Sequence, residues 1–305
     1  MTDLITILGP TATGKTQVAV ALAQKIDAEI ISGDSRQVYR RMDLGTGKDL
    51  ADYQGVPYHL IDICEPGTKY NLYEWQRDFR TAYADIRSRG KRAILCGGTG
   101  LYIESVLRDY RINAVPQNPE LRAELEGKSL AELTEMLKDL KRQSGAAMHN
   151  TTDVDSAQRA IRAIEIETYA LAHPDVGKSP SVPIESRVFG IDVLRDVRRE
   201  RITQRLKKRL DEGMLDEIRK LLDEGVPAED LIYYGLEYKF LTQHVVGQLS
   251  YDEMFRQLEI AIHQFAKRQM TWFRGMERRG VKIEWVDGLL PMDEKVGRIL
   301  SALDE

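Results

Sequence analysis

The sequence predicts an α/β fold in which a mostly parallel sheet carries helices on both faces and a helical segment is inserted into it. Two observations favour this fold class. Short apolar runs with the length of buried strands alternate with helical patterns in the first third of the chain and recur near its end. The middle of the chain shows helical patterns alone.

Each predicted strand is a short run rich in aliphatic residues and bounded by polar or glycine-containing turns. The runs are Leu4–Leu8, Glu29–Ser32, His59–Ile63, Ala93–Cys96, Val188–Val193 and Val281–Trp285. Helical patterns or loops separate them, so the strands are expected to pair mostly in parallel through crossover connections.

The central segment 115–186 is predicted to be a helical insertion, and 1–114 together with 187–305 to form the catalytic core. Helical patterns within it lie at Pro119–Glu126, Ser129–Arg142 and Ala157–Ala172, and prolines mark both of its edges. From Arg195 to His263 the pattern is again helical, with breaks at 225–227 and at Gly247.

A phosphate-binding loop is predicted directly after the first strand. The segment fits G-x-x-x-x-G-K-[ST] and precedes a helical pattern at Gln17–Lys25, the order that this motif requires. Its residues are Gly9, Pro10, Thr11, Ala12, Thr13, Gly14, Lys15 and Thr16. The glycines let backbone N–H groups point inward, Lys15 adds a positive charge, and the Thr16 hydroxyl can ligate Mg²⁺. The loop therefore predicts binding of a di- or triphosphate, whose carrier the motif does not specify.

Polar residues that follow other predicted strands are further candidates, because ligands of an open parallel sheet gather at the carboxyl ends of its strands. Asp34 can bind Mg²⁺, accept a proton or cap a following helix. Asp62 resembles a Walker-B aspartate. Thr99 lies in the segment Cys96–Gly100, whose glycines permit close approach of the backbone to a ligand.

Composition limits the possible partners. The formal net charge is −4, so affinity for nucleic acid must come from local basic surface. The segment Arg195–Arg209 supplies such surface, with eight basic and two acidic residues. The two cysteines lack the spacing of a zinc site, and no signal peptide or long apolar stretch is recognisable. We expect a cytoplasmic protein that does not associate with membranes and acts as a monomer.

Several motifs together resemble those of bacterial tRNA dimethylallyltransferases over nearly the whole chain. After the phosphate loop come Asp34–Tyr39 with Met42–Lys48, then His59–Ile63, Gly97–Tyr102 and Ala266–Arg274. The resemblance implies a P-loop nucleotide-kinase-like fold. It also implies transfer of a dimethylallyl group from dimethylallyl diphosphate to N6 of adenosine 37 in tRNA, with Mg²⁺ and release of diphosphate.

The resemblance further implies roles for individual residues. Asp34 is the expected general base, Thr99 is expected to orient the base or the diphosphate, and Arg201 is expected to contact the diphosphate beside Lys15. The insertion is expected to grip the anticodon stem-loop. The expected tRNA contacts are Asp34, Ser35, Arg36, Gln37, Thr99, Arg122, Gln158, Arg159, Ala160, Ile161 and Arg162.

Two segments, 149–159 and 235–239, depart from the family pattern, so the contacts there stay open.

Three other functions would also fit part of the sequence. A P-loop nucleoside or nucleotide kinase would explain the phosphate loop with Asp34 or Asp62, but not the basic segment or the Ala266–Arg274 motif. An isopentenyltransferase acting on free adenine nucleotides would not need so large an insertion. A non-enzymatic, nucleotide-gated binding module is the third.

Overall fold

The computed structural model describes residues 4–110, 115–145, 152–174 and 184–304. The chain divides into two compact units, one formed by 1–110 with 183–305 and the other by 111–182. These limits lie within a few residues of the insertion boundaries expected from the sequence. We call the two parts the core unit and the insertion unit.

The core unit is built on a parallel sheet, so the predicted fold class is confirmed. Its described strands are β1 (Leu4–Leu8), β2 (Ala28–Ser32), β3 (Tyr58–His59), β4 (Arg92–Gly97), β5 (Ser186–Asp192) and β6 (Ile283–Asp287). They lie in the order β3-β2-β4-β1-β5-β6. Every residue of β1 and β2 is buried, as expected for strands that helices cover on both faces. All carboxyl ends therefore meet at one edge, where ligands of such sheets bind.

The described helices surround the sheet or form the insertion unit. They are α1 (Lys15–Ile26), α2 (Leu72–Ser88), α3 (Gly100–Leu107), α4 (Pro119–Leu125), α5 (Leu130–Ser144), α6 (Ala157–Ala172), α7 (Arg195–Asp211), α8 (Met214–Asp223), α9 (Ala228–Tyr233), α10 (Leu236–Val245), α11 (Tyr251–Arg278) and α12 (Met292–Asp304). In the described ranges, none of them is both long and apolar enough to cross a membrane.

The core of this unit has two layers, because side chains alternate across a strand. Leu4 and Leu8 of β1 point to the layer formed with α2, α3 and α7–α11. Ile5 and Ile7 point to the opposite layer, which α1 and α12 cover. The sheet is thus held between helices, and its carboxyl edge is left for the loops that follow the strands.

The insertion unit contains α4, α5 and α6 around a small core of its own. Leu125, Leu133, Leu137 and Ile164 are buried there. The predicted helices are found within two residues at every end. Ser129 begins α5 with a capping box. Its side chain accepts a hydrogen bond from the Glu132 N–H, and the Glu132 side chain accepts one from the Ser129 N–H.

The strand predicted at His59–Ile63 is wrong in extent. Regular pairing covers only Tyr58 and His59. Leu60 and Asp62 adopt φ angles of 62° and 55°, which a β ladder does not accommodate. The Asp62 carboxylate instead forms an ion pair with the buried ammonium group of Lys48. The Asp62 carboxylate is thus engaged in a structural ion pair.

Candidate active site

The loop between β1 and α1 has the form of a phosphate cradle. Ala12 and Gly14 adopt φ angles of 64° and 82°, which curl the chain inward. Thr13 Oγ1 donates a hydrogen bond to the Pro10 carbonyl at 2.9 Å and holds this curl. Helix α1 begins at Lys15, two residues earlier than predicted. The unpaired backbone N–H groups of its first turn therefore lie at the end of the phosphate loop.

Two sizeable cavities adjoin this loop, besides a small recess at Thr11 and Ala12. The larger has a volume of about 390 Å³ and is lined by Thr11, Lys15 and Thr16 together with Asp34. We call it the main cavity. The other, the outer cavity, has a volume of about 350 Å³ and contacts Ala12–Gln17. A phosphate group in the cradle would therefore be accessible from both cavities.

Arg201 lies in the outer cavity with Lys295 of α12. Burial lowers the pKa of Lys295, and the neighbouring positive charge of Arg201 lowers it further. Arg201 forms no ion pair with the described residues, so its guanidinium is available to an anion. The structure thus brings the arginine expected to contact the diphosphate next to the phosphate loop.

Asp34 is fixed in the loop that follows β2. Its Oδ1 accepts the backbone N–H of Arg36 at 2.9 Å. No helix starts at Asp34 or Ser35, because the chain continues in turns as far as Asp49. The alternative that either residue caps a helix is therefore wrong. Within the main cavity burial lowers the pKa of Lys15, while the negative charge of Asp34 opposes this effect.

Thr99 holds the Asp34 loop in place. Its Oγ1 accepts the backbone N–H of Ser35 at 3.1 Å. The loops after β2 and β4 touch closely, since a β-carbon added to Gly97 would lie 2.4 Å from the Gly33 carbonyl oxygen. Glycine is therefore required at Gly97 for these loops to approach each other.

The other predicted tRNA contacts of the core unit also line the main cavity. Gln37 Oε1 accepts from the Ser32 hydroxyl at 2.8 Å, and its Nε2 donates to the Gly47 carbonyl at 3.2 Å. The Arg36 guanidinium lies over the ring of Tyr233, 5.7 Å from its centroid. Asp34, Ser35, Arg36, Gln37 and Thr99 are thus brought together at one opening.

Two arginines of the basic segment Arg195–Arg209, Arg205 and Arg209, line the main cavity, whereas the sequence assigned them only to a surface for nucleic acid. Arg205 Nη2 binds Asp49 at 2.7 Å, and Arg209 Nη2 binds the same carboxylate at 2.9 Å. Burial acts to raise the pKa of Asp49, but the two guanidinium charges outweigh it and the net shift is downward. The signal was present in the spacing, because residues 201, 205 and 209 share one face of a helix.

Two further residues of the main cavity were given no role from the sequence. Gln269 of α11 connects two loops: its Oε1 accepts the Thr11 N–H and its Nε2 donates to the Gly98 carbonyl, both at 2.9 Å. Glu237 lies in the first turn of α10, in the segment that departs from the family pattern. Burial raises the pKa of its carboxyl group. Gln269 lies in the motif Ala266–Arg274, but the motif does not reveal its two hydrogen bonds, because they depend on tertiary contacts.

In the insertion unit, two predicted tRNA contacts bind a buried carboxylate. Arg122 Nε and Arg162 Nη1 bind Glu165 at 2.7 and 2.9 Å. Burial acts to raise the pKa of Glu165, but the hydrogen bonds from Arg122, from the Asn118 N–H and from Arg162 bring it down to about 2. Both arginines remain partly exposed, so each also presents an edge to solvent.

The remaining predicted contacts of this unit lie on α6. Arg159 is exposed and pairs with Asp155 at 3.1 Å. Gln158 and Ile161 line a surface depression together with Arg122. Ala160, with 0% exposure, is packed in the unit's core. The prediction that Ala160 contacts tRNA is therefore corrected, because its side chain faces the other helices.

Comparison with known proteins identifies the family. The IPP transferase model matches residues 37–276, and a second model, isopentenyl transferase, matches residues 2–55. The chain is 62% identical to tRNA dimethylallyltransferase 2 of Phocaeicola vulgatus, over 99% of this chain and 97% of that relative. It is 60% identical to tRNA dimethylallyltransferase 1 of Parabacteroides distasonis, over 99% and 98%. This chain belongs to the IPP transferase family.

Solved structures agree with this membership. The tRNA isopentenylpyrophosphate transferase of Bacillus halodurans is 31% identical, with a TM-score of 0.72 over 100% of this chain and 96% of that chain. A eukaryotic dimethylallyltransferase that is 21% identical shows the same fold, with a TM-score of 0.78 over 100% and 79%. The family resemblance predicted from the motifs is confirmed. The IPP transferase match begins at Gln37, and the second model covers the phosphate loop and Asp34.

Proposed function

We propose that this member of the IPP transferase family transfers a dimethylallyl group from dimethylallyl diphosphate to N6 of adenosine 37 in tRNA, with release of diphosphate. One observation carries the proposal: a single cavity joins Lys15 and Thr16 of the phosphate loop to the carboxylate of Asp34. Alkylation of an amine by an allylic diphosphate needs stabilisation of the leaving group and an acceptor for the amine proton. Both requirements meet in this cavity.

The phosphate loop and its cations serve the leaving group. Breaking the allylic C–O bond moves an electron pair and negative charge onto the diphosphate. Backbone N–H groups at the start of α1, the ammonium group of Lys15 and the guanidinium of Arg201 stabilise that charge. Arg205 adds a guanidinium that Asp49 already holds in position.

The donors at the loop fit a bound Mg²⁺. The described ranges contain no group of three or more His, Cys, Asp or Glu side chains suited to a metal. Mg²⁺ in phosphate sites usually keeps several waters and binds substrate phosphates, so it needs few ligands from the protein. Thr16 would supply a hydroxyl ligand, and the ion would add positive charge at the diphosphate.

Asp34 serves the amine. The exocyclic N6 of adenine becomes acidic as it attacks the allylic carbon, and a carboxylate within hydrogen-bond reach takes the proton. Because Oδ1 of Asp34 accepts the Arg36 N–H, this bond holds the carboxylate by one oxygen, and Oδ2 would take the proton. Thr99 acts as a positioning residue, since it binds the same loop through Ser35.

The substrate base has to leave its stack to reach this centre. Enzymes that modify a base extrude it into a pocket and hold it by stacking and by contacts to its edge. Tyr234 and Phe265 bring aromatic rings to the main cavity.

The insertion unit grips the anticodon stem-loop in this proposal. Arg159 on the exposed surface of α6 supplies charge for phosphate contacts. Arg122 and Arg162 offer their exposed edges while they hold Glu165.

The test incubates the full chain with Mg²⁺, dimethylallyl diphosphate and tRNA that lacks the modification, followed by mass analysis of the tRNA nucleosides. We expect one dimethylallyl group on adenosine and equimolar diphosphate. Parallel reactions contain AMP with dimethylallyl diphosphate, or ATP with a nucleoside acceptor. Transfer to AMP but not to tRNA would replace the proposal by action on free nucleotides, and phosphate transfer from ATP would replace it by a kinase.

A further inference from the structure

A further concave surface lies in the core unit, outside the main and outer cavities, and includes the start of the basic segment Arg195–Arg209. It is a groove of about 770 Å³ between the first turns of α7 and the middle of α11. We call it the basic groove, after Arg195, Arg199, Lys267 and Arg274, which line it. The ends of β5 and β6 contribute Asp192 and Asp287, so the groove opens at the carboxyl edge of the sheet.

The basic groove has an excess of unpaired positive charge. Its four named cations are exposed, and none forms an ion pair with another residue of the described ranges. Its two carboxylates are already engaged: Asp192 pairs with Arg198 at 2.7 Å, and Asp287 accepts the N–H of Leu289 at 2.9 Å. Clustered cations on a concave surface attract a polyanion even when the whole molecule is acidic.

Apolar groups lie beside these cations. Leu194 is 70% exposed and Trp285 is 37% exposed. The six-membered ring of Trp285 packs against Gly190, and its indole N–H donates to Glu277 at 2.9 Å, so the ring is held rigidly. A fixed aromatic ring among cations is typical of surfaces that bind single-stranded nucleic acid, where bases stack and phosphates pair.

The wall of the groove contains an unsatisfied polar atom. His263 Nδ1 is buried and has no hydrogen-bond partner in the described part of the chain. Burial lowers the pKa of this histidine, the charge of Arg199 lowers it further, and Glu259 opposes both, so the ring is neutral. A neutral imidazole leaves this ring nitrogen unpaired within the wall of the groove.

We propose that the basic groove is a second RNA-binding site, which holds the sugar-phosphate backbone of the substrate tRNA beside the modified loop. The identity of the RNA rests on the proposed function. Lys267 and Arg274 belong to the motif Ala266–Arg274, in which Arg268 and Gln269 face the main cavity instead. Helix α11 thus separates the two sites by roughly its own 10 Å diameter, and one RNA molecule spans both.

The test is a fourfold variant, Arg195→Gln, Arg199→Gln, Lys267→Gln and Arg274→Gln, of the full chain. A matched control removes four exposed cations outside the groove: Lys220→Gln, Arg256→Gln, Arg278→Gln and Lys282→Gln. Binding of unmodified tRNA is measured as a function of salt concentration without dimethylallyl diphosphate. This readout stays informative if the proposed transfer reaction fails.

We expect the groove variant to lose about tenfold or more in tRNA affinity and its salt slope to fall by about 0.7 for each phosphate contact removed. The KM for dimethylallyl diphosphate and the single-turnover rate at saturating tRNA should match those of the parent protein. Replacing the three arginines by lysine should restore most of the affinity.

Equal losses in the groove variant and the control would overturn the inference, because general electrostatics would then account for them. Unchanged tRNA binding would overturn it as well. If the groove variant binds tRNA normally but loses binding of ATP, the groove is a site for a small polyanion and not for RNA. A lowered melting temperature in the groove variant but not in the lysine variant would show that loss of charge affected folding. In that case the tRNA affinity of the lysine variant tests the inference.

Discussion

Gln269 and Thr11 are joined by a hydrogen bond of 2.9 Å from the Thr11 N–H to Gln269 Oε1, although 258 positions separate them in the chain. The amide nitrogen of the same side chain binds the Gly98 carbonyl. Helix α11 therefore fixes the phosphate loop relative to the loop after β4. One buried side chain thereby links the phosphate loop to the segment that positions Asp34.

Gln269→Glu is expected to disturb the phosphate loop. The carboxylate keeps an acceptor for the Thr11 N–H but sets an oxygen against the Gly98 carbonyl oxygen and adds negative charge beside the diphosphate. We expect the KM for dimethylallyl diphosphate to rise by about tenfold, the size of one lost charge-sensitive hydrogen bond. Steady-state kinetics at saturating tRNA measure it. Gln257→Glu, on the same helix but outside the cavity, should leave this KM unchanged, and equal effects of the two changes would contradict the assignment.

Lys15→Ala is expected to lower turnover more than affinity, because a charge on the cradle matters most when the diphosphate gains charge in the transition state. Single-turnover rate and the Kd for dimethylallyl diphosphate are measured separately. Lys25→Ala at the far end of α1 is the control, since Lys25 is exposed and, within the described ranges, pairs only with Asp293. Near-normal turnover with a raised Kd in Lys15→Ala would reject the role.

Asp49→Asn tests the pair of arginines. Without the carboxylate, Arg205 and Arg209 lose their anionic partner, so their charges act more strongly on a bound diphosphate. We expect product inhibition by diphosphate to strengthen by roughly tenfold, the range of one charge-assisted hydrogen bond. Asp52→Asn is the control, because Asp52 lines the outer cavity without contacting either arginine. An unchanged inhibition constant in Asp49→Asn would show that Asp49 does not restrain them.

The insertion unit should lose stability in acid because of Glu165. Its pKa is about 2, below the ordinary 4.5, so its contribution is complete above pH 4.5 and disappears as the pH falls toward 2. The shift corresponds to about 3 kcal/mol. Amide hydrogen exchange of α4–α6 between pH 5 and 2.5, corrected for intrinsic rates, measures it. In Glu165→Gln the exchange should be faster at pH 5 and nearly independent of pH. Glu124→Gln, an exposed neighbour, should behave as the parent protein does.

The sequence predicted the parts of this fold whose signals are local. The phosphate loop is a contiguous motif, and α6 was predicted at its observed bounds because its apolar positions recur at helical spacing. The second half of the predicted His59–Ile63 strand failed, since its aliphatic composition does not reveal the left-handed φ angles of Leu60 and Asp62. Local composition cannot report a backbone conformation that tertiary contacts impose.

The residues of the candidate site also divide into those with a local sequence signal and those that depend on tertiary contacts. Asp34 and Lys15 were predicted as site residues from local signals, because Asp34 follows a strand and Lys15 completes the phosphate-loop motif. Asp49 and Gln269 were given no role, and Arg209 was assigned only to a surface for nucleic acid, because their contacts depend on partners far away in the chain, as in the pairing of Asp49 with Arg209 over 160 positions. Only the folded chain brings such groups together.

Asp34→Asn tests the proton acceptor. The amide preserves the size of the side chain and the bond to the Arg36 N–H through its oxygen, so folding and diphosphate binding should be nearly unchanged. It cannot accept the proton of the adenine amine, and general-base assistance is typically worth about 10²–10⁴-fold in rate. We expect a loss of that range in single-turnover transfer with an unchanged melting temperature.

Asp62→Asn is the matched control for this prediction. It weakens the ion pair with the buried Lys48, so it should lower the melting temperature while the folded enzyme keeps its transfer rate. A stable Asp34→Asn variant with a near-normal transfer rate would exclude Asp34 as the base and leave it only the role of shaping the loop between β2 and the main cavity.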